Sequence, residues 1–206
     1  NNTEETRMTD TMTIRVKCKT ENQKILVNAI KEKEVVICSG PAGTGKTFLA
    51  CAEALKLIKR NGKYKKIVIV KSVTTLKNEE IGFLKGNLRE KMEPFMFSFV
   101  HNFEKIVGQS ITSRLRELKT IEELPIAYMR GINLDRSVII IDEAQNISQE
   151  NMRTILTRLG KDSKMIFLGD ERQQDSKGGN GLTFLMNNFK DIEEIGCVQF
   201  NKSDVV

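Results

Sequence analysis

The sequence holds no tryptophan, one histidine, three prolines and four cysteines among 206 residues. His101, the one histidine, stands in no partner pattern and reads as structural. Cys18, Cys38, Cys51 and Cys197 are scattered without a C-x-x-C pair. This excludes a zinc ribbon and points to reduced thiols in a cytoplasmic compartment. No apolar run approaches the roughly 20 residues of a membrane span, and the first residues carry no apolar signal-peptide core. Position 1 is not methionine, so the chain reads as trimmed or as a fragment. Repeats and low-complexity tracts are absent. The net charge of +6 and pI near 9.1 lean toward polyanionic partners. The densest basic cluster is Lys56, Lys59, Arg60, Lys63, Lys65 and Lys66. It reads as a solvated face around a helix C-terminus, with nucleic-acid contact as the alternative.

What is present is concentrated. Gly40-Pro41-Ala42-Gly43-Thr44-Gly45-Lys46-Thr47 has the spacing G-x-x-x-x-G-K-T of a phosphate-binding loop. Glycines let successive backbone N–H groups turn inward around a triphosphate. Lys46 reaches the β- and γ-phosphates, and the Thr47 hydroxyl is a ligand for Mg²⁺. The context fits. Val35-Val36-Ile37-Cys38 is a short apolar run like a buried parallel strand. Phe48, Cys51, Leu55 and Ile58 follow at helical spacing, and Asn61-Gly62 is a stop. Such a helix points free N–H groups at the phosphates. A second apolar run, Val138 to Ile141, leads into Asp142-Glu143-Ala144-Gln145. Asp142 at a strand end suits holding Mg²⁺. Glu143 beside it suits a general base that polarises the attacking water.

Further strands are expected at Ile67–Val70, Met165–Leu168 and within 192–200, and alternation from Met12 through Ile14 and Val16 to Cys18 predicts an edge strand. Helices are expected over 20–30, with Ile25, Leu26, Ala29 and Ile30 inward, and over 182–188. Another is capped by Ser148, carries Met152, Ile155, Leu156 and Leu159 on one face, and ends at Gly160. Apolar strands alternating with helices specify one α/β domain with a parallel sheet flanked by helices. We divide the chain into an N-terminal tail with edge strand, 1–19, and an ATPase domain, 20–206. Residues 76–126 read as a helical insertion at the sheet's edge. Phe95, Phe99 and Phe103 form an aromatic stripe there, read as core.

These motifs resemble the PhoH-like ATPases. The resemblance rests on the loop at 40–47, Ile81-Gly82-Phe83-Leu84, Pro125 to Gly131, Ile141 to Asn146, and Leu156 to Gly160. Gly169-Asp170 with Gln173 and Asp175, and Phe200-Asn201 with Ser203 to Val206, complete it. It implies a RecA-like fold similar to the first domain of superfamily 1 helicases. ATP and Mg²⁺ are the implied cofactors, and RNA or single-stranded DNA the implied partner. Further roles follow from the resemblance alone. Gln23 matches a glutamine that reads adenine by its amide edge, and Gln173 one that senses the γ-phosphate. Lys71-Ser72-Val73-Thr74 matches a segment that touches nucleic-acid backbone, although relatives carry Arg-Pro where Lys71-Ser72 stands here. Relatives also continue past Val206 with an arginine that resembles an arginine finger. Arg153, Arg158 and Arg172 are the candidates within this chain. Otherwise a second copy supplies the cation, for instance in a hexameric ring.

The leading expectation is therefore an ATPase acting on RNA or single-stranded DNA as a helicase-like motor or switch. A nucleotide-gated nucleic-acid-binding module, with the Asp170–Lys177 loop reshaped by ATP, is the alternative. A small-molecule phosphotransferase of the thymidine-kinase kind is disfavoured by the lack of paired cysteines.

Overall fold

Six short runs rich in Val, Ile and Leu pair side by side, all parallel, in the order β3-β2-β4-β5-β1-β6. They are β1 (Val35–Ser39), β2 (Lys66–Lys71), β3 (Ile121–Pro125), β4 (Ser137–Asp142), β5 (Lys164–Gly169) and β6 (Ile195–Gln199). The computed structural model describes residues 8–60, 62–72, 88–173 and 179–206. Val73, Thr74, Ile81 to Leu84, Asp175, Lys177 and the side chain of Phe95 lie outside the described residues.

Successive residues of a strand face opposite sides of the sheet, and the two core layers follow that alternation. Val36, Cys38, Ile67, Ile69, Val138, Ile140, Ile166 and Leu168 face one layer. The helices Glu21–Glu32, Lys46–Arg60 and Leu88–Val107 cover it with Leu26, Ile30, Leu55, Phe99 and Phe103. Ile37, Val68, Val70, Ile139, Ile141, Met165 and Phe167 face the other. There the helices Gln149–Leu156 and Gly181–Phe189 contribute Met152, Ile155, Leu182 and Leu185. Burial on both faces is why the strands read as unbroken apolar runs. This is the helix-flanked parallel sheet expected from the sequence, in one domain.

Three expectations need correction. The stretch from Met12 to Cys18 forms no strand. Its alternation is real, with Met12 fully buried and Ile14, Val16 and Cys18 packed on the same core layer. It lies against that layer without joining the ladder, and any extended chain resting on a surface alternates in this way. The segment 76–126 is not helical to its end, because Ile121–Pro125 pairs with β2 and forms one edge of the sheet. Among the described residues, the helices Leu88–Val107 and Gln109–Glu117 precede it. Arg116 anchors the second helix to Glu123 of β3, its Nη2 and Nε both meeting Oε1 at 2.5 and 2.7 Å, and both side chains are nearly buried. Finally, Ile25 points outward while Gln23, Leu26, Val27 and Ile30 are buried.

The basic cluster sits at the amino end of the sheet. Lys66 begins β2 and pairs with Glu122 at 2.8 Å, and Lys56 pairs with Glu53 at 2.9 Å. These lysines are engaged in structure, at the end of β2 opposite Lys71.

Candidate functional site

Register gathers the site. Ser39 lies opposite Gly169 and Gln199, and Lys71 lies opposite Asp142 and Pro125. The carboxyl ends of all six strands thus share one edge, where parallel α/β sheets bind ligands. The phosphate loop leaves β1 at this edge and becomes the helix Lys46–Arg60. Gly43 and Gly45 adopt φ of 80° and 79°, the left-handed region that favours glycine. Gly40 N donates to Gly169 O at 3.0 Å. A Cβ on Gly40 would collide with Phe200.

The loop's carbonyls are individually held. Pro41 O accepts from the Thr44 hydroxyl at 3.0 Å and from Lys46 Nζ at 3.1 Å. Gly43 O accepts from Val206 N at 2.9 Å, and Thr44 O from Gln23 Nε2 at 2.9 Å. Carbonyls held by these donors are kept from opposing an anion at the loop's N–H groups. Ala42 stands exposed at the tip of the loop, and Thr47 sits in the first turn of the following helix.

Gln23 needs a correction. It is buried, and its Oε1 accepts from Lys19 N at 2.6 Å and Thr20 N at 3.3 Å. Both acceptor positions of the amide oxygen are filled, and one Nε2 hydrogen goes to Thr44 O. Reading adenine requires a free amide edge. Gln23 instead joins a capping box at the start of its helix to the phosphate loop. Its neighbour Asn22 donates to Asp204 at 2.8 Å, tying the C-terminal Asn201–Asp204 turn to the same brace. Burial pushes the Asp204 carboxyl up. Hydrogen bonds from Asn201 N, Asn22 and Thr20 outweigh that and hold it below its ordinary value.

Across the edge, Asp142 ends β4. Burial raises its carboxyl pKa. The Glu143 N–H, bonded to Oδ1 at 2.9 Å, and then the charges of Lys71 and Lys46 pull it back. Both lysines therefore act on the carboxylate. The Thr47 hydroxyl and Asp142 carboxylate are hard oxygen donors of the kind Mg²⁺ takes alongside phosphates. Glu143 adopts φ 50° and ψ 43°, left-handed for a residue with a Cβ. Strain of about 1–3 kcal/mol at such positions clusters at functional sites. Its carboxylate lies 3.9 Å from Lys71 Nζ. Cys38, just before the loop, is pushed up to about 12 by burial, against the pull of Lys46, and is inert as a thiolate.

Gln145, Ser39 and Lys71 enter the site without having been singled out for their present contacts. Gln145 is buried and accepts from Asp170 N at 3.1 Å, coupling the ends of β4 and β5. Ser39 accepts from Glu171 N at 3.3 Å. Lys71 was expected at nucleic-acid backbone; its Nζ lies 3.9 Å from Glu143 and its charge also acts on Asp142. None of these pairings is readable before strand order is known. Gln173 is exposed just after the Glu171-Arg172 turn, its N–H returned to Asp170 O at 3.0 Å.

The three candidate arginines separate. Arg153 stacks over Phe184 at 5.2 Å. Arg158 donates to Ile132 O at 2.9 Å and Met129 O at 3.4 Å. Arg172 alone borders the cavity of about 380 Å³ beside the phosphate loop, with Gly40, Pro41, Asp170 and Asn201. A second cavity, about 440 Å³, opens between Pro125–Arg130, the Asn146–Ser148 loop and the helix Gln149–Leu156.

Comparison with known proteins agrees with this architecture. A PhoH-like protein of Bacillus subtilis is 40% identical over 193 residues, covering 93% of this chain and 60% of the relative. Protein PhoH of Escherichia coli is 34% identical over 190 residues, covering 90% and 53%. The chain thus spans three-fifths or less of the length of these relatives. Among solved structures, the Hef helicase domain of Pyrococcus furiosus superimposes with a TM-score of 0.53 at 16% identity, over 89% of this chain and 38% of that one. The large terminase of bacteriophage HK97 gives 0.51 at 14%, over 97% and 44%. These likenesses establish a RecA-like phosphate-loop fold. No helix among the described residues is long and apolar enough to cross a membrane. The family described as PhoH-like protein matches residues 15–206, and the chain belongs to it.

Proposed function

We propose that this protein binds and hydrolyses ATP, and that it acts on single-stranded RNA or DNA as a helicase-like switch or motor. The observation that carries hydrolysis is the register of β1, β4 and β5. It sets the braced phosphate loop, Asp142 and Glu143 along one sheet edge. In this reading Lys46 and the loop amides bind the β- and γ-phosphates. Thr47 and Asp142 would hold Mg²⁺, which would supply charge neutralisation on the phosphates. Glu143 accepts a proton from water as the water oxygen bonds to the γ-phosphorus. The bond from that phosphorus to the β,γ-bridging oxygen breaks, and ADP leaves with the electron pair. Gln173 belongs to the same reading as a γ-phosphate sensor, from a position where its exposed side chain is free to approach.

The preference for ATP over other nucleotides has no support from Gln23, which is engaged with the loop. Self-association, for example as a hexameric ring, is supported by the positions of Arg153 and Arg158. Both are committed to Phe184 and to backbone carbonyls, which leaves Arg172 or a neighbouring copy as the source of a further cation. Light scattering with ATP present tests it, and a monomer throughout removes it. The decisive assay is phosphate release with and without single-stranded RNA, for the wild type and Glu143→Gln. We expect Glu143-dependent release that RNA accelerates. Nucleotide binding without Glu143-dependent turnover would instead support the gated binding module.

A further inference from the structure

Two adjacent carbonyls of the phosphate loop are held by segments far apart in sequence. Thr44 O accepts from Gln23 Nε2 at 2.9 Å, and Gly43 O accepts from Val206 N at 2.9 Å. A Cβ on Gly43 would lie 3.3 Å from Val205, so the segment carrying Val206 also packs against the loop. Gln23 belongs to the capping box that starts the helix Glu21–Glu32, its N donating to the Thr20 hydroxyl at 3.2 Å. Val205 and Val206 follow directly on the capped turn Asn201–Asp204.

The two arms meet at one carboxylate. Asp204 is 4% exposed, and its Oδ2 accepts from Asn22 Nδ2 at 2.8 Å and from Asn201 N at 3.0 Å. The Thr20 hydroxyl bonds to the same carboxylate. Asn22 and Thr20 tie it to the capping box that aims Gln23, and Asn201 N closes the turn that delivers Val206. Hydrogen bonds to an ionised acceptor are about twice as strong as neutral ones. The loop they steady is rich in glycine and has other conformations open to it. Affinity for a ligand falls in proportion to the fraction of molecules in the competent conformation.

We propose that Asp204 is a positioning residue for nucleotide binding, pinning the Gln23 and Val206 arms to each other and so holding the loop in the form that takes a triphosphate. It acts through the carbonyls of Gly43 and Thr44. By linkage, a nucleotide that fixes the loop also steadies the segment Phe200–Val206. The inference rests on the nucleotide-binding part of the reading above and is independent of the hydrolysis step.

The test is the affinity for a fluorescent ATP analogue with Mg²⁺. It is measured for the wild type, Asp204→Asn, Asn22→Ala, Gln23→Ala and the variant carrying both Asp204→Asn and Gln23→Ala. Asp204→Asn keeps the shape of the side chain and sets an amide among three donors. It should raise Kd about tenfold, the worth of one charge-assisted hydrogen bond. Its kcat at saturating ATP should be unchanged, the pattern of lost uniform binding. Asn22→Ala removes one donor and leaves the turn's own cap, and should raise Kd about two- to threefold. The double variant should lose less than the product of the single losses, because both residues hold one loop. Hydrogen exchange in 200–206 should slow on nucleotide binding in the wild type and not in Asp204→Asn. A wild-type Kd in Asp204→Asn, a lower kcat at unchanged Kd, or fully multiplicative losses would each overturn the clamp. If Asp204→Asn fails to fold, a wild-type Kd in Asn22→Ala overturns it instead. A wild type that binds no nucleotide overturns the binding reading itself, whereas one that binds it but shows no slowing of exchange in 200–206 overturns the clamp alone.

Discussion

On the phosphate-loop side of the site, the carbonyls of Pro41, Gly43 and Thr44 are each fixed by a named donor. On the acidic side, Glu143 is held in a disfavoured backbone conformation, its carboxylate against Lys71. In the proposed reading the first half is preorganised for a charge that is always the same, a polyphosphate. In that reading the second changes its proton during a catalytic cycle, and its loop also lines the 440 Å³ cavity. A rigid cradle suits binding, whereas a strained, ion-paired base suits control. Braces therefore belong to affinity and stability, and the Glu143 loop to rate.

The largest effect expected from breaking this contrast is on Glu143. Glu143→Gln should lower phosphate release by about 10²–10⁴-fold, the range of general acid–base catalysis. Binding of a fluorescent ATP analogue should persist; loss of binding would mean that the acidic half also serves as part of the cradle. Gln23→Ala attacks the other half. It leaves Thr44 O and the Lys19 and Thr20 amides unpaired, and should cost about 1–3 kcal/mol in denaturant unfolding. Affinity for ATP and GTP should fall together. A selective loss of ATP binding would restore the adenine-reading role. Glu143→Gly separates strain from chemistry. It should be inactive yet gain about 1 kcal/mol of stability, because glycine adopts the left-handed region freely. An unchanged or lower melting temperature would show that the conformation stores no strain.

The smallest expected effect lies away from the site, at the amino end of β5. Lys164 is buried, and its pKa is lowered to about 8 by that burial and then by Lys63, against the pull of Glu34. Between that value and the ordinary 10.5, the unfolded chain binds more protons at this position than the folded one. Stability therefore rises with pH across this window. Relative to Lys164→Met, which has no such titration, the wild type should gain stability from pH 8 to 10.5. Parallel melting-temperature curves for the two proteins would remove the effect.

Residues with strong local signatures were legible from the chain alone. The Gly40–Thr47 spacing, the apolar runs before it and before Asp142, and the Ser148 cap each declare themselves within a few neighbours. The cap's hydroxyl indeed accepts from Asn151 N at 3.1 Å. Strand β3 hid because Ile121-Glu122-Glu123-Leu124-Pro125 is only partly apolar, as an edge strand is allowed to be. Met12 to Cys18 misled for the converse reason. A period of two reports one-sided burial, not a hydrogen-bonded neighbour. Gln23 was placed at the correct end of the sheet, yet its role turned on Thr44, 21 residues away.

The sequence by itself determined the phosphate loop, the acidic strand end and the helix-flanked parallel sheet. Each depends on local chemistry or on periodicity, which survive in one dimension. Tertiary structure alone decided that Gln23 bonds to the loop at Thr44 O. It also decided that Val206 N donates to Gly43 O and that Lys71 stands beside Glu143. These follow from strand order and register, which bring together residues that no local pattern connects.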